Sequence, residues 1–599
     1  MLFTTAYAEY PIKSKFGVSM QPSPHQKQVI DWLQADSNFS DAVVNSVAGS
    51  GKSTLLKLAA DAISESNVDI RDCLVLVFNK KNKTALVKKL NPRWQYSIST
   101  VHSAGYRVLK KYLGVRRLEV EESKYRYLAK TLDWFNGSEP KQAKVVSLSN
   151  FLKLFEFVRL TLSPLTPQAL SELIEHYALD INKQHLGEIS QRIDYLFKIG
   201  MDSAASEARI DHTDMLWLPV VWQINQSPGF KYAQRVMVDE AQDMSRLQLE
   251  FVLSLAHERA KMLFVGDPAQ SINGFCGADT DSFSNIQTRL QALEFTLPVC
   301  YRCPKTHIEL INKLCPEIPI EPRENAPTGN IKAIAEWDLW SETEDSRIAP
   351  GDLVIARCSS SLVDLHLKMI TRGIPCNLVG SSLQQDLLNL LEDIAEQTGF
   401  EYQKFAEFSQ SYLKFKQSIY QENDNGAILL LQLKDQIKAV EAIYKHFQSR
   451  SLAELASGIK QLFGSEDSEA VLLSTIHRAK GMESERVYIA EPLTLPLLWE
   501  GQKQWQEQQE QNLLYVALSR STKDLFLIGD AFWFDGSLKQ DFRNSSTVKL
   551  AEEANNTDID RIVSKASTKE LIEHQQLIQL ELGKRAANRF EDLISRSFP

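Results

Sequence analysis

The stretch Ser46-Val47-Ala48-Gly49-Ser50-Gly51-Lys52-Ser53 decides the fold class of this 599-residue chain. An apolar run at 42–44 precedes it and a helix-like run at 54–63 follows it, which is the order of a phosphate-binding loop. The glycines let main-chain N–H groups turn toward phosphate oxygens, and the helix N-terminus adds a partial positive charge. Lys52 is expected to reach the β and γ phosphates, and Ser53 to bind Mg²⁺. Ser46 stands where the pattern asks for glycine or alanine, which is a small change.

A second stretch, Asp239-Glu240-Ala241-Gln242-Asp243, closes another apolar run at 236–238. It places two carboxylates at a strand end, one suited to the metal and the other to an attacking water. A phosphate-loop pattern alone can arise by chance. The two stretches together predict nucleotide hydrolysis with Mg²⁺.

The composition, 43% hydrophobic and 24% charged residues, is that of a globular protein, and the length predicts several domains. No apolar run is long enough to cross a membrane, and residues 1–15 lack the apolar core of a secretory signal. Seven thinly spread cysteines suit a reducing compartment, so a cytoplasmic location is expected. Cys300 and Cys303 have metal-like spacing but no second pair, and packed thiols are the favoured interpretation.

The formal net charge of −9 argues only weakly against nucleic acid, because binding depends on local charge. Two segments, 79–93 and 107–117, are rich in Lys and Arg and contain no acidic residue. Such runs are usually solvated faces. Their closeness in sequence to the phosphate loop favours contact with a phosphate backbone.

Apolar strand-like runs recur along the chain at 73–78, 236–238, 262–265, 353–356, 471–473, 487–489 and 525–528. Helical periodicity fills most of the space between them, which predicts an α/β fold with parallel sheets. Polar groups follow several of these runs, and in parallel sheets functional groups gather beyond the carboxyl ends of strands. Two long stretches without such motifs read as helical insertions into two α/β cores.

The order of motifs from Gln26 to about residue 530 resembles the UvrD/Rep-like superfamily I helicases. The runs Phe78-Asn79-Lys80, 474–483 and 512–517 are most like the F-box DNA helicase branch, although no F-box is expected in the short segment before Gln26. The resemblance implies two RecA-like parallel-sheet motor domains, each carrying a mostly helical insertion. The expected limits are 1–103 and 208–290 for the first motor domain, 104–207 for its insertion, 291–385 and 466–545 for the second motor domain, 386–465 for its smaller insertion, and 546–599 for a helical C-terminal tail.

The same resemblance implies an ATP site shared by the two motor domains. The expected ATP contacts are Gln26 at the adenine edge, the loop residues Ala48, Gly49, Ser50, Gly51, Lys52, Ser53 and Thr54, Tyr301 stacked on adenine, and Glu483 at the ribose. Asp239 joins Ser53 as the metal-side residue. The expected catalytic residues are Glu240 as general base, Gln270 as γ-phosphate sensor, and Arg302 and Arg520 as arginine fingers.

A DNA track is implied as well. Its expected residues are Phe78, His102, Ser103, Phe275, His477 and Lys480, with Phe275 as a base-stacking ring. Two positions depart from the family pattern: Asn273 replaces a tyrosine and Cys276 replaces an arginine. These departures put the grip on the bases in question, but not ATP hydrolysis.

The expected function is that of an ATP-dependent DNA helicase or translocase, and the resemblance implies 3′-to-5′ movement on single-stranded DNA in repair, recombination or replication. The expected partners are single-stranded DNA, junctions and tailed duplexes. Two alternatives stay open: a motor that strips proteins from DNA with little unwinding, and a nucleotide-gated interaction protein. An RNA substrate also stays open. The tail is expected to be a packing arm in preference to a site for a loading partner, and nucleoid association is expected in a prokaryote.

Overall fold

The computed structural model describes residues 21–35, 40–132, 134–135, 146–272, 274, 282–341, 345–420, 426–464, 469–499 and 502–529. All but two of the described residues belong to one compact unit that ends at Leu527, and the remaining two, 528 and 529, are assigned to a second unit. The predicted tail, 546–599, lies outside the described residues.

Six parallel strands, numbered in chain order, form the first sheet: β1 (Ala42–Ser46), β2 (Cys73–Val77), β3 (Ile98–Thr100), β6 (Ala233–Asp239), β7 (Ala256–Gly266) and β8 (Leu293–Leu297). Their spatial order is β3-β2-β6-β7-β1-β8. Alternate residues pack on opposite faces, so Val236 and Val238 join one hydrophobic core while Met237 joins the other. Both faces are thus buried, as in parallel sheets generally.

The helices of this core are α1 (Pro24–Gln34), α2 (Lys52–Ser64), α3 (Lys80–Lys89), α4 (Val101–Tyr112), α10 (Arg246–Leu255) and α11 (Ser282–Leu290). Because α2 follows β1 and α3 follows β2 directly, the start of each helix lies at the carboxyl edge of the sheet. Side chains cap several helix starts; the Thr100 hydroxyl, for example, accepts a hydrogen bond from the Ser103 N–H at 3.1 Å.

Between α4 and β6 the chain forms α5 (Lys124–Ala129), α6 (Leu148–Thr161), α7 (Pro167–His176), α8 (Leu186–Glu207), α9 (Asp214–Val221) and a short parallel pair, β4 (Glu119–Val120) with β5 (Arg209–Ile210). A separate hydrophobic core that includes Phe151 and Ile189 holds α5 to α8 together. Lys124 Nζ lies 2.7 Å from Oδ2 of Asp214, and both side chains are fully buried. Buried charges such as these are tolerated because they are paired.

The second sheet contains β11 (Asn330–Ile334), β12 (Leu353–Ala356), β13 (Cys376–Val379), β14 (Val471–Thr475), β15 (Ser484–Ala490) and β16 (Ser521–Ile528), in the order β11-β16-β15-β12-β14-β13. The pairs β13–β14, β14–β12 and β12–β15 are parallel. A separate parallel pair joins β9 (Val299–Cys300) to β10 (Glu321–Pro322). The α/β fold class with parallel sheets, predicted from the sequence, is confirmed.

The helices of the second half are α12 (Lys305–Leu314), α13 (Ser359–Thr371), α14 (Ser381–Ala395), α15 (Phe405–Tyr420), α16 (Gly426–Phe447), α17 (Leu452–Leu462), α18 (Ile476–Ala479) and α19 (Gln504–Leu518). Helices α14 to α17 lie between β13 and β14 in the chain. Two of the predicted domain limits, 103/104 and 385/386, fall inside α4 and α14, and the set of limits stays a prediction. In the described part of the chain, no helix combines the length and apolar character needed to span a membrane.

Candidate functional site

The phosphate loop joins β1 to α2. Gly49 and Gly51 have φ angles of +67° and +88°, in the left-handed region that favours glycine. Gly51 is the N-cap of α2, so the unpaired N–H groups of the first helical turn lie at the loop. Ser50 Oγ is buried and has no hydrogen-bond partner in the described part of the chain. These donors fit an anionic phosphate.

Ser46, the departure from the loop pattern, has a structural partner. Its hydroxyl donates a hydrogen bond to the carbonyl oxygen of Gly266 at 2.5 Å, and the serine is fully buried. The bond joins the end of β1 to the end of β7. Glycine or alanine could not make it, so the serine is suited to this position.

Lys52 and Glu240 form an ion pair at the centre of the site, with Nζ 2.9 Å from Oε2. Glu240 directly follows β6 and has a φ of +56°, which is uncommon outside glycine. Burial disfavours ionisation of Glu240, but the charges of Lys52 and Lys480 outweigh it and lower the pKa to about 2. Glu240 is therefore a carboxylate at neutral pH.

Asp239 is the buried last residue of β6, and its Oδ1 accepts a hydrogen bond from the Glu240 N–H at 3.1 Å. Burial, together with the neighbouring Glu240 charge, raises the pKa of Asp239 to about 7. A divalent cation would favour its ionised form, because it adds an opposite charge. Asp239 and the hydroxyl of Ser53 on the first turn of α2 are oxygen ligands of the kind that Mg²⁺ prefers.

A hydrogen-bond network connects Glu240 to Gln270. Gln242 Nε2 donates to Oε2 of Glu240 at 2.8 Å, and Gln242 Oε1 accepts from the Asp267 N–H at 2.9 Å. Gln270 Nε2 in turn donates to Oδ2 of Asp267 at 2.6 Å. The ends of β6 and β7 are thereby joined through side chains.

The segment after β9 reaches the phosphate loop from the second half of the chain. The Tyr301 N–H donates to the carbonyl oxygen of Gly49 at 2.9 Å. A Cβ atom added to Gly49 would lie 2.6 Å from the Cβ of Arg302, closer than real contacts allow. Arg302 Nε lies 2.6 Å from Oε2 of Glu483. Tyr301 itself is 45% exposed, so its ring is accessible to a ligand.

Arg520 follows α19 and is buried. Its Nε donates to the Val516 carbonyl at 2.8 Å, and Nη2 donates to the Ser519 hydroxyl at 2.8 Å. Burial and the charge of Arg302 lower the pKa of Arg520 to about 10, so the side chain stays charged at neutral pH. The positive charges of Arg302 and Arg520 repel each other, and a bound anion would reduce that repulsion.

Gln26 lies beside the loop on the first turn of α1. Ser23 and Gln26 form a capping box, in which Gln26 Oε1 accepts from the Ser23 N–H at 3.1 Å. Its Nε2 would lie 3.3 Å from a Cβ atom on Gly51. The amide is thus next to the phosphate loop, where the sequence predicts an adenine contact.

One cavity of about 870 Å³ brings many of the predicted residues together. Its lining includes, from the predicted ATP and catalytic set, Gly49, Lys52, Glu240, Gln270, Arg302 and Arg520, and from the predicted DNA set, Phe78, His477 and Lys480. The predicted residues that are described but are not part of this lining are Gln26, Ala48, Ser50, Gly51, Ser53, Thr54, Asp239, Tyr301, Glu483, His102 and Ser103.

Lys480, predicted to contact DNA, has protein partners. Its Nζ lies 2.5 Å from Oδ2 of Asp243 and 2.5 Å from the carbonyl oxygen of Gln270. It also lowers the pKa of Glu240. Burial, with a smaller effect of the Arg357 charge, lowers the pKa of His477 to about 3, so this histidine is neutral at pH 7. Both residues lie close to the chemistry of the predicted ATP site.

The other predicted DNA residues lie at different places. Phe78 follows β2 and is 38% exposed. Ser103 Oγ accepts from the Thr100 hydroxyl at 2.7 Å in the cap of α4. His102 has its pKa lowered by burial and by His212. Phe275, Asn273 and Cys276 lie outside the described residues.

Tyr515 lies against the candidate site and is not among the residues predicted from the sequence. Its hydroxyl accepts from the Ala48 N–H of the phosphate loop at 2.7 Å and donates to Asp267 Oδ2 at 3.2 Å. The residue lies in the run 512–517 that carries part of the family resemblance. The polar spacing Gln509, Asn512 and Tyr515, every third residue, is the signal that could have indicated a functional helix face.

The cysteine pair is buried beside the loop. The Cys303 N–H donates to Sγ of Cys300 at 3.3 Å, and both residues are almost fully buried. In the described ranges, no group of three or more His, Cys, Asp and Glu side chains could hold a metal ion. The favoured interpretation of two packed thiols agrees with this burial.

Two family models match the chain. The UvrD/REP helicase N-terminal domain matches residues 29–291, and the UvrD-like helicase C-terminal domain matches residues 470–528. The first match contains the phosphate loop and Glu240, and the second contains Tyr515 and Arg520.

Three curated proteins show similar stretches. F-box DNA helicase protein 1 of Schizosaccharomyces pombe is 23% identical over 312 residues, which cover 49% of this chain and 33% of that protein. A probable DNA helicase of Mycoplasma pneumoniae is 23% identical over 300 residues, which cover 49% of this chain and 43% of that protein. ATP-dependent DNA helicase srs2 of Schizosaccharomyces pombe is 23% identical over 205 residues, which cover 31% of this chain and 23% of that protein. The matched segments therefore span less than half the length of each relative.

Proposed function

Because the chain belongs to the UvrD/Rep-like helicase family, we propose that it is an ATP-dependent DNA helicase that moves along single-stranded DNA. The proposed direction is 3′ to 5′, and the proposed task is strand separation in repair, recombination or replication. Single-stranded DNA, junctions and tailed duplexes are the proposed substrates. A cytoplasmic location, with nucleoid association in a prokaryote, and a loading partner at the tail stay predictions.

The observation that carries this proposal is the set of residues that line the cavity of about 870 Å³, which we call the central cavity. Lys52 and Glu240 from the first half of the chain and Arg302 and Arg520 from the second half line the same space. Phosphoryl transfer needs mainly positioning and charge neutralisation at the γ-phosphate. A site built from two halves can couple that chemistry to their relative movement.

In the proposed reaction, Lys52 binds the β and γ phosphates, and Glu240 accepts a proton from the attacking water. Phosphate oxygens compete with Glu240 for the Lys52 ammonium group, which lies 2.9 Å from the carboxylate. That competition raises the proton affinity of Glu240 just where a base is needed. Mg²⁺, held by Ser53 and Asp239, would neutralise charge on the phosphates.

The two arginines supply fixed positive charge in this scheme. Arg302 exchanges its 2.6 Å ion pair with Glu483 for a γ-phosphate oxygen, and Glu483 is left to contact the ribose. Arg520 is already aligned by the Val516 carbonyl and the Ser519 hydroxyl. Guanidinium groups suit this role because they stay charged and donate in a fixed geometry.

The proposed strand contacts continue from the same cavity. Phe78 lines it, and α3, which starts two residues later, carries Lys80, Lys81 and Lys83. A ring next to a basic helix suits a single strand, whose bases stack and whose phosphates pair with cations. The proposed direction of movement along the strand and the proposed contacts with its bases rest on the family resemblance alone.

The decisive experiment measures ATPase activity of the purified protein with and without single-stranded DNA or RNA, followed by unwinding of duplexes with 3′ or 5′ tails. Stimulation by DNA and unwinding from the 3′ tail are expected. Unwinding only from a 5′ tail would refute the proposed direction. DNA-stimulated ATPase with displacement of a bound protein but no unwinding would favour a protein-stripping motor, and ATP binding without turnover would favour a nucleotide-gated switch.

A further inference from the structure

Tyr515 on α19 lies between the two halves of the proposed ATP site and is fully buried. Its hydroxyl uses both of its hydrogen-bonding abilities on the first half of the chain. It accepts from the Ala48 N–H at 2.7 Å and donates to Asp267 Oδ2 at 3.2 Å. One phenol thus connects the phosphate loop to the segment that follows β7.

Two other side chains of α19 hold the same segment. Asn512 Nδ2 donates to the Ser271 carbonyl at 2.8 Å, and Gln509 Nε2 donates to the Ile272 carbonyl at 2.7 Å. Residues three apart share one face of a helix. We call Gln509, Asn512 and Tyr515 the α19 seam. The seam fixes the backbone of residues 271–272 through carbonyl groups and the side chain of Asp267 through its carboxylate.

Asp267 passes this constraint on to the predicted γ-phosphate sensor. Its Oδ2 accepts from Nε2 of Gln270 at 2.6 Å as well as from Tyr515. Burial raises the pKa of Asp267, whereas Lys52 and the hydrogen bonds from Gln270 and Tyr515 favour the carboxylate. Loss of the phenol hydroxyl would leave this buried carboxylate with one donor fewer.

Resting on the proposed ATPase function, we propose that Tyr515 is a positioning residue for hydrolysis, which holds Asp267, and through it Gln270, in the working orientation when α19 is docked on the phosphate loop. Tyr515 acts through other residues and is not itself a catalytic residue. Because the hydroxyl belongs to the second half of the chain and its partners to the first, the sensor is oriented only when the halves are together.

The inference is tested with Tyr515→Phe in the full chain, which removes one hydroxyl and keeps the ring. The kcat for ATP should fall about tenfold to a hundredfold, the range expected for one hydrogen bond to a charged group. The KM for ATP should change less than kcat, because Tyr515→Phe removes no group that is proposed to bind ATP.

Tyr488→Phe is the matched control. Tyr488 is a fully buried tyrosine of the second half whose hydroxyl donates to the Ser346 carbonyl at 3.1 Å, and it does not line the central cavity. The kcat of Tyr488→Phe should equal that of the parent protein. Asn512→Ala, which leaves Tyr515 intact but releases the Ser271 carbonyl, should lower kcat in the same direction as Tyr515→Phe.

A double-mutant cycle with Asp267→Asn separates positioning from packing. If Tyr515 acts through Asp267, the double variant should be no slower than Asp267→Asn alone. Parent-like kcat in Tyr515→Phe, additive effects in the cycle, or an equal loss in Tyr488→Phe would each overturn the inference. Absence of ATPase activity in the parent protein would instead overturn the proposed function, and the inference with it.

Discussion

Lys52 Nζ lies 2.9 Å from Oε2 of Glu240, so the predicted phosphate-binding cation and the predicted base are in direct contact. The contact lowers the pKa of Glu240 against the effect of its burial. In the proposed reaction, a phosphate bound at Lys52 would change the environment of Glu240. Phosphate binding and proton acceptance would then be coupled through the Lys52 side chain.

Glu240→Gln should preserve ATP binding and abolish turnover, because an amide cannot accept the proton of the attacking water. The measurements are a titration with a fluorescent ATP analogue and steady-state ATPase. Glu258→Gln, an exposed position on β7, is the control and should hydrolyse ATP like the parent. Near-normal turnover in Glu240→Gln would refute the assignment of the base.

Arg302→Ala should lower kcat by about 10³- to 10⁵-fold, the usual effect of losing an arginine finger. Glu483→Gln is the matched variant, because it removes the ion-pair partner of Arg302 but keeps the guanidinium group. It should affect the KM for ATP more than kcat. Equal losses of kcat in both variants would indicate that the ion pair is structural and that Arg302 does not reach the γ-phosphate.

ATPase activity should rise with single-stranded DNA, and the stimulation should decline as salt increases, because Lys and Arg contacts release counterions from the strand. The salt dependence of oligonucleotide affinity, measured by fluorescence anisotropy, checks this. Replacing Lys80 and Lys83 on α3 by glutamine should make that dependence shallower. A flat response to DNA at low salt would contradict a strand-driven motor.

Phe275→Ala should weaken single-strand binding by about 1–3 kcal/mol, the usual value of one base–aromatic stack. It should also uncouple ATP consumption from strand displacement. Asn273→Tyr should tighten binding, because it restores the ring that the family pattern has at this position. Unchanged binding and unwinding per ATP in Phe275→Ala would show that this ring packs inside the protein.

His477 should make the protein sensitive to acid. Burial and Arg357 lower its folded pKa to about 3 from 6.5, so its contribution to stability is complete above pH 6.5 and is lost as the pH falls toward 3. Between pH 7 and pH 4.5, the parent should lose about 2 kcal/mol more of unfolding free energy than His477→Gln. Urea unfolding at both pH values tests this, with the exposed His257→Gln as a control that should follow the parent.

Several residues of the proposed ATP site could be named from the sequence because their signals are local. A glycine-rich loop between a strand and a helix locates Lys52, and a strand that ends in two carboxylates locates Glu240. Parallel sheets then place both at the same edge. Arg302 and Arg520 were predicted only from the family resemblance, since nothing in their immediate sequence indicates a phosphate.

The remaining features depend on residues far apart in the chain. The hydrogen bond from Ser46 to Gly266 requires that β1 and β7 be neighbours. The contacts of the α19 seam require that α19 dock on the phosphate loop. Lys480 is a residue of the type that contacts DNA phosphates. Its Nζ nevertheless lies 2.5 Å from Oδ2 of Asp243, because the two halves of the chain pack together there. A sequence pattern shows which side chains are available, but not which distant partner each one meets.

The contact between Gly49 and Arg302 limits how this protein can vary. A single methyl group at position 49 would lie 2.6 Å from the Cβ of Arg302, and the positive φ would strain it further. Any larger residue would clash with Arg302 and Cys300, and the substitution would leave the side chains of Lys52 and Glu240 in the sequence. A substitution at position 49 would therefore test the contribution of Arg302 to the proposed site separately from the contributions of Lys52 and Glu240.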